Sequence, residues 1–412
     1  MFLKYFYTLV LVKPQIKNHM KRITIAFLLC SLLVNAQSIK IKDINFERAL
    51  IERGFDVGNP DGFINRNSVG TVVYLDVSGE SIEDLTGIEA FGNLQTLIAD
   101  NNNIQELDLS ANTQLKDVSI FNNKLRLINI SENASLEKLN VFKNNLGLID
   151  VSGNRNLTYL AVADNNITEL NLFNNKKLET LYTQNNQLNT LLLNDAPNLK
   201  IVNCEYNNIT ELNTTNSEAL EMLNASNNYL NTLNVSTNVS LQQVNVMYNT
   251  IEELDLSTNQ DLTAILVGYN NLNSLNIRNG NNTNVVVLRA EGNERLDCIT
   301  ADDEIAATNA KNVVGRWNKD YQTAFSVNCK SISKTSSVQK SFDFFVGNNK
   351  TLTINSDQKA SLQILNLQGV EVISKNLEQG LNAINLNNAL SNVYVLQINS
   401  EIGTYTKKFV LN

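Results

Sequence analysis

A 21-residue period runs through the middle of the chain and constrains its fold more than any other feature. Leu75 precedes the regular series by 22 residues, and Leu288 follows it by 23. A unit this short cannot bury its own apolar side, so about ten units must stack into a solenoid with one continuous core. We call each unit a coil and count its positions from the recurring aliphatic residue: Leu97, Val118, Leu139, Leu160, Leu181, Val202, Leu223, Val244 and Ile265.

Each coil contains two short segments in which apolar and polar residues alternate, as in Leu160-Ala161-Val162 and Leu170-Asn171-Leu172. Alternation with a period of two is typical of a strand that turns one face inward. Two such segments in every coil predict a strand on each side, and stacking then produces two parallel sheets. The predicted fold class is mainly β, a solenoid with parallel strands on both sides of each coil.

About one residue in six is Asn, and two columns of the repeat explain this excess. An inward Asn at a turn offers an acceptor and two donors to backbone groups that have left the sheet. We therefore interpret both columns as a structural ladder and not as ligands or glycosylation sites. Position six contributes Asn102, Asn123, Asn144, Asn165, Asn186, Asn207, Asn228, Asn249 and Asn270. Position 16 contributes Asn112, Asn133, Asn154, Asn175, Asn238 and Asn259, and is broken at Ala196, Ser217 and Gly280.

The pattern L-x-V-x-x-N-N-I-x-x-L-x-L-x-x-N, seen over residues 160–175, resembles the short 21-residue bacterial subclass of the leucine-rich repeat family. The resemblance covers residues 75–290, and residues 37–74 look like the N-terminal cap of such proteins. It implies a curved solenoid used for recognition, with no catalytic residue, no metal and no cofactor.

Composition also disfavours catalysis and nucleic-acid binding. The single His is His19, so a mature chain that begins after residue 36 lacks the commonest general base and metal ligand. Residues 1–36 hold five Lys and Arg and no acid, which leaves 28 basic and 41 acidic residues, a net charge of −13. A surface this acidic repels phosphate backbones.

The N-terminus predicts export. Met20-Lys21-Arg22 precedes an apolar run of about twelve residues, and Ala36 with Gln37 fits a signal-peptide cleavage site. We therefore expect a signal peptide over residues 1–36. Whether the chain starts at Met1 or at Met20 is left open.

After Leu288 the period stops, and a covering segment is needed for the exposed end of the core. We expect a polar, helical C-terminal cap over residues 291–329 that contains Trp317, closed by a disulfide between Cys298 and Cys329. Cys204 occupies an inward strand position and is interpreted as a small buried hydrophobe. Residues 57–68 distantly resemble a calcium loop, but a turn built on Asp-Gly explains them as well.

The C-terminal residues do not follow the repeat and are interpreted as a linker and a separate domain. Residues 330–340 are Ser-rich and are interpreted as a linker. Six short alternating segments follow, between Leu352 and Val410, and predict a small β-sandwich. Residues 362–369, 393–396 and 407–410 resemble the C-terminal sorting domain of the type IX secretion system, which we assign to residues 341–412. The resemblance implies contact with that machinery, and a protein released from, or attached to, the outer surface of a Bacteroidetes-type bacterium.

Outward positions two, four and five of the first strand carry an unusual number of large side chains. Aromatic residues that share one face are enriched at recognition surfaces. We expect a monomer that binds an extracellular protein, in interaction or adhesion, with an extracellular polysaccharide as the alternative ligand. The predicted partner-binding face comprises Phe121, Phe142, Tyr182, Tyr206, Met247, Tyr248 and Tyr269.

Overall fold

A computed structural model describes residues 38–193, 196–311, 317–329, 342–346, 350–356, 359–366, 370–386, 392–400 and 403–411. The predicted signal peptide, its cleavage site and the linker at 330–340 lie outside these residues. The chain divides into two compact units, one ending at Cys329 and one beginning at Lys330. In the described part of the chain, no helix has the length and hydropathy that a bilayer crossing requires.

The N-terminal cap consists of helix α1 (Ile44–Glu52), the one-turn helix α2 (Arg66–Val69) and an antiparallel pair of strands. Asp43 begins α1, because its Oδ1 accepts the backbone N–H groups of the first turn. Its Oδ2 accepts two further N–H groups from the start of the solenoid. One carboxylate thus ties the cap to the repeats. The paired strands are Ser38–Lys40 and Phe63–Asn65.

The first strands of successive coils form one parallel sheet of twelve strands, which we call the long sheet. Its register follows the period, since Leu97 pairs with Val118 and Val118 with Leu139. The strands are Tyr74–Asp76, Thr96–Ile98, Asp117–Ser119, Lys138–Asn140, Tyr159–Ala161, Thr180–Tyr182, Ile201–Asn203, Met222–Asn224, Gln243–Asn245, Ala264–Leu266, Val287–Ala290 and Trp317–Lys319.

The second side of the solenoid is less regular than the sequence predicts. Its strands form three separate parallel sheets, and the segments around Ile149, Leu170 and Leu233 contain no strand. Most second-side segments are closed by an Asp or Asn that accepts the N–H two residues later, as Asp150 does from Ser152. The strands are Glu106–Asp108 with Leu127–Asn129, Thr190–Leu192 with Glu211–Asn213, and Glu253–Asp255, Ser274–Asn276, Cys298–Thr300 and Ala324–Ser326.

One apolar core runs the length of the solenoid. Cys204 is fully buried in it, and this burial raises the pKa of its thiol to about 12. Two short 3₁₀ helices, Ile88–Ala90 and Asn282–Asn284, lie between strands. The prediction of a solenoid with parallel strands is therefore confirmed.

The C-terminal cap is only partly helical, which corrects the sequence interpretation. Helix α3 covers Glu304–Lys311, but Trp317 begins a strand that extends the long sheet. The indole is buried against Phe325, and its Nε1 donates to the carbonyl of Val285 at 3.1 Å. Extending both sheets covers the last coil with backbone partners as well as with apolar area, which a helix alone does not provide.

The second unit contains two antiparallel sheets that share one core, which includes Leu352, Ile354, Leu362 and Leu396. It has one strand more than predicted, Phe342–Val346, which adjoins the Ser-rich segment. The three-stranded sheet contains Phe342–Val346, Thr351–Ser356 and Gly380–Asn385. The four-stranded sheet contains Glu371–Leu377, Ala360–Leu365, Asn392–Ser400 and Gly403–Leu411.

Candidate functional site

The first Asn column holds each coil to its neighbours. In Asn165, Nδ2 donates to the carbonyl oxygens of Val141, Val162 and Ala163, each at 3.0 Å. Its Oδ1 accepts the backbone N–H of Leu146 at 2.9 Å. One side chain thereby satisfies turn groups in two coils. Buried in the same way are Asn102, Asn123, Asn144, Asn186, Asn207, Asn228, Asn249 and Asn270.

The second Asn column is also buried but mostly uses only half of each amide. Asn175 Nδ2 donates to the carbonyl oxygens of Val151 at 3.0 Å and Asn154 at 2.9 Å. Its Oδ1 receives no hydrogen bond from the described residues, as is also the case for Asn112, Asn133, Asn154 and Asn259. In Asn238 the Thr214 hydroxyl lies 2.7 Å from Oδ1, the shorter of its two acceptor distances, the other being 3.0 Å to the carbonyl of Asn234. A side chain that mainly donates is easier to replace, which accounts for Ala196, Ser217 and Gly280 in this column.

Sequence reasoning missed two members of the ladder. Asn293 stands at position six when counted from Leu288, and its Oδ1 accepts the N–H of Leu272 at 3.1 Å. Asn279 stands one residue before the break at Gly280, and its Nδ2 donates to the carbonyl of Asn259 at 2.7 Å. Asn293 can be found by counting positions from Leu288, past the end of the regular period. Asn279 cannot be found by counting, because it is shifted by one residue from position 16.

The predicted partner-binding residues form two groups. Of the seven, only Tyr182 lies within a strand of the long sheet, because the strands end before positions four and five and the other six residues lie in the turns that follow. In the first group, the rings of Phe121 and Phe142 stack in adjacent coils, with centroids 5.4 Å apart and planes 6° apart. Tyr182 packs edge-on against Tyr159 at 5.9 Å. Tyr159 was not in the predicted set, because it stands one residue before position one. These rings are only partly exposed.

The second group contains the more exposed tyrosines, which we call the tyrosine column: Tyr206, Tyr248 and Tyr269. Their side chains are 55%, 49% and 45% exposed, respectively. Tyr248 and Tyr269 stack with centroids 4.6 Å apart and planes 5° apart. Tyr206 lies two coils before Tyr248, with Asn227 between them. Met247 is half-buried beside this group.

The backbone of the tyrosine column is unusual. Position five is left-handed in every regular coil, with φ between 49° and 58°. Asn and Asp tolerate this region, whereas a bulky side chain there is rare. Tyr206, Tyr248 and Tyr269 nevertheless adopt φ of 52°, 57° and 56°. The other coils use Asn101, Asn122, Lys143, Asp164, Asn185 and Asn227.

Two glycines make room for the second group. A Cβ on Gly292 would lie 2.6 Å from Cδ1 of Tyr269 and 3.1 Å from its Cγ and Cε1, so the glycine lies against the ring face. A Cβ on Gly268 would lie 2.8 Å from the carbonyl oxygen of Glu291 and 3.4 Å from Cε of Met247. The Tyr269 ring is therefore covered on one side by Tyr248 and on the other by the next coil.

Asn residues at position two are less available to a ligand than their exposure suggests. Oδ1 of Asn203 accepts the N–H of Glu205, and Oδ1 of Asn245 accepts the N–H of Met247, both at 3.2 Å. Asn140 and Asn224 make the corresponding bonds. Their carbonyl oxygens close the turn that follows the strand. The aromatic side chains, and not these amides, distinguish the face.

No group of three or more His, Cys, Asp or Glu is placed to hold a metal ion in the described residues. In the loop over residues 57–68, backbone N–H groups instead donate hydrogen bonds to a carboxylate of the protein itself. Glu47 accepts the N–H groups of Asp61 at 2.6 Å and Gly62 at 2.9 Å.

An open groove of about 750 Å³ lies between the N-terminal cap and the second side and is lined partly by Glu83, Asp84 and Glu106.

The disulfide predicted from the sequence is confirmed. Cys298 and Cys329 are bonded, with their Cα atoms 5.7 Å apart. Cys298 begins a second-side strand, so the bond fastens the end of the C-terminal cap to the last regular sheet.

Comparison with known proteins identifies the tail and supports the fold. Residues 348–412 match the family of secretion system C-terminal sorting domains. No curated protein matches the chain. An internalin (inlF) from Listeria monocytogenes shares 18% identity, covering 71% of this chain and 92% of its own, with a TM-score of 0.53. This likeness concerns the fold alone.

Two further solved structures are similar at lower TM-scores. The functional domain of InlJ from Listeria monocytogenes shares 21% identity over 91% of this chain and 98% of its own, at a TM-score of 0.42. The leucine-rich repeat domain of APL1B shares 19% identity over 57% of this chain and 72% of its own, at 0.47. The sorting-domain match indicates type IX secretion, so the protein is secreted or displayed at the cell surface. The chain thus has the solenoid fold of leucine-rich repeat proteins, and its last residues match the secretion system C-terminal sorting domains.

Proposed function

We propose that the solenoid binds an extracellular protein through the predicted partner-binding face, mainly through the tyrosine column. The observation that carries the proposal is the conformation of Tyr206, Tyr248 and Tyr269, three bulky residues in left-handed backbone. An L-residue in that region costs about 1–2 kcal/mol, less for Asn. Strained residues of this kind cluster at functional sites.

The strain is not compensated by deep burial. About half of each tyrosine side chain is exposed, so folding recovers only part of the apolar area of the ring. Asn occupies the same position in four other coils, where it supports the same turn. Binding of a partner supplies the missing burial, because Tyr contributes large contact area with few rotatable bonds.

Ring geometry favours a protein over a polysaccharide. A sugar stacks on a free aromatic face, but both faces of Tyr269 are covered, one by Tyr248 and the other by Gly292. Tyr269 therefore offers a ligand its ring edge and hydroxyl group, and only Tyr206 and the outer face of Tyr248 remain free for stacking. Protein surfaces, which present donors, acceptors and aliphatic groups together, complement such edges well.

We further propose that the protein is not an enzyme and acts as a monomer at, or released from, the surface of a Bacteroidetes-type bacterium. Residues 37–412 contain no His, which removes the commonest general base. The sorting domain over 341–412, the caps over 37–74 and 291–329 and the signal peptide over 1–36 would then serve delivery and support. Residues 75–290 would carry the binding function.

The proposal is tested by screening the full chain against arrays of extracellular proteins and of glycans. We expect protein hits that weaken at least about tenfold in the double variant Tyr206→Ala with Tyr248→Ala, as for a hot spot of two aromatic residues. The matched control is Tyr229→Ala, an equally exposed tyrosine (59%) outside the column. Hits confined to glycans, or protein hits that the double variant binds unchanged, would refute the proposal.

A further inference from the structure

The tyrosine column contains a gap. Position-five side chains of adjacent coils contact one another, since Asn122 Nδ2 donates to Asn101 Oδ1 at 2.8 Å and Asn185 Nδ2 donates to Asp164 Oδ1 at 2.6 Å. The larger rings of Tyr248 and Tyr269 stack in the same way. Side chains in this column therefore lie in register along the solenoid.

Asn227 interrupts that register between two tyrosines. Its neighbours, Tyr206 and Tyr248, are two coils apart, which corresponds to about 9.6 Å at the spacing of parallel strands. A group held between two ring faces needs about 7–8 Å, twice a van der Waals contact. The space above the short Asn227 side chain, which we call the tyrosine slot, therefore accommodates one side chain of a partner and not two.

A carboxylate lies beside this slot. Glu205 precedes Tyr206, and its Oε1 accepts a hydrogen bond from Nδ2 of Asn203 at 3.3 Å. Its Oε2 lies 3.3 Å from the hydroxyl of Ser226 in the next coil, and that hydroxyl is also 3.0 Å from Oδ1 of Asn224. Because Ser226 directly precedes Asn227, these contacts place the carboxylate beside the slot. In the part of the chain that the structure describes, no Lys or Arg forms a salt bridge with Glu205.

Charged side chains in the turns around the slot are acidic. Positions four and five of the five coils from Val202 to Leu288 hold two charged side chains, and both are acidic, whereas Arg289, at position two, lies three coils beyond Asn227. The second, Glu291, has a buried Oε2 that receives no hydrogen bond from described residues. The ten residues are Glu205, Tyr206, Ser226, Asn227, Met247, Tyr248, Gly268, Tyr269, Glu291 and Gly292.

We infer that the tyrosine slot receives a cationic side chain, arginine or lysine, from the protein partner. The inference rests on the proposed function and names the chemistry of the partner at its centre. The aliphatic stem lies between the rings of Tyr206 and Tyr248, and the charged end pairs with Glu205. Arginine fits best, because its flat guanidinium group stacks on aromatic rings while it donates to a carboxylate.

The test uses the full chain and a peptide array as the probe. The array holds random 12-residue peptides in three sets, with the central residue fixed as Arg, Gln or Glu. We expect the wild type to bind the Arg set preferentially, by about tenfold over Gln. Asn227→Tyr fills the slot and is expected to abolish that preference, while Glu205→Gln reduces it.

The matched control is Asn101→Tyr. It places the same side chain in the same left-handed column but outside the slot, so its peptide binding should equal that of the wild type. Circular dichroism verifies that all variants fold. Asn227→Tyr is compatible with the backbone, because three other coils already carry Tyr there.

Two results would overturn the inference. One is equal binding of the Arg and Gln sets, and the other is an unchanged Arg preference in Asn227→Tyr. If either occurs while the double variant Tyr206→Ala with Tyr248→Ala still weakens binding, the slot does not bind a cationic side chain, but the tyrosine column still binds the partner. If that double variant also binds as the wild type does, the proposed function itself fails.

Discussion

The two Asn columns make a quantitative prediction within a single coil. Asn165→Ala removes the acceptor of the Leu146 N–H, which is fully buried. An orphaned buried donor costs about 1–3 kcal/mol. The carbonyl oxygens of Val141 and Val162 are not left unpaired, because Asn144 and Asn186 still donate hydrogen bonds to them. We therefore expect a loss of about 2–3 kcal/mol in unfolding free energy.

Asn175→Ala is the matched comparison in the next column. It removes two donated hydrogen bonds, but it also removes an Oδ1 that is buried without a donor. Leaving a polar atom unpaired is itself unfavourable. The expected loss is therefore about 1 kcal/mol, less than half of that for Asn165→Ala.

Urea denaturation of the full chain, followed by far-ultraviolet circular dichroism, measures both losses. Amide hydrogen exchange provides a local check, because the Leu146 amide should lose protection in Asn165→Ala and keep it in Asn175→Ala. Equal losses of unfolding free energy in the two variants would refute the view that the second-column amides mostly donate hydrogen bonds without accepting any.

A gain-of-stability variant tests the same reasoning from the opposite direction. Thr214 donates to Oδ1 of Asn238, and Val151 is the equivalent residue for Asn175. Val151→Thr, which normally destabilises a core, should here be neutral or stabilise by up to about 1 kcal/mol. In an Asn175→Ala background the threonine keeps only the carbonyl of Asn171, the equivalent of Asn234, as an acceptor, so the same substitution should be less favourable by about 1 kcal/mol. A loss of similar size in both backgrounds would contradict the assignment.

Three further predictions concern the cap, the acidic turns and the tyrosine column. Cys298→Ser with Cys329→Ser opens a loop of 31 residues and should lower the unfolding free energy by about 3–4 kcal/mol, measured by urea denaturation. Hydrogen bonds from the Ser152 side chain and backbone lower the pKa of Asp150. The ionised carboxylate therefore stabilises the fold fully above the pKa of the unfolded state, about 4, and this stabilisation is lost as pH falls through the lower pKa of the folded state. Asp150→Asn should accordingly weaken the fall in unfolding free energy that is measured as the pH is lowered. Gly292→Ala should weaken partner binding as well as stability, whereas Gly79→Ala, with the same positive φ but nothing near its Cβ, should lower stability alone.

Much of the solenoid follows from the period, because one inward residue per strand fixes the register of every coil. Val118 therefore pairs with Leu97 and Leu139 as the spacing predicts. The interruptions of the second side were not predicted, since pairing there depends on backbone hydrogen bonds that the apolar pattern does not encode. Trp317 was assigned to a helical cap because its strand lies outside the repeat.

Part of the candidate site was also encoded in the sequence. The outward positions of Tyr206, Tyr248 and Tyr269 follow from counting. Their left-handed backbone had a signal as well, because position five is Asn or Asp in five of the nine regular coils, with Lys143 and the three tyrosines in the others, and becomes Gly79 and Gly292 near the ends. Stacking of rings in adjacent coils and the slot above Asn227 depend on side-chain orientation, which the period does not determine.

The most direct test of the central claim is a hydrogen–deuterium exchange footprint of the full chain with its strongest protein ligand from the array. Binding through the tyrosine column predicts protection over the ends of the long-sheet strands and the turns that follow them, centred on residues 203–206, 224–227, 245–248 and 266–269. It predicts no protection on the second side, at 190–192 and 211–213. Protection confined to the second side, or to the sorting domain, would contradict it.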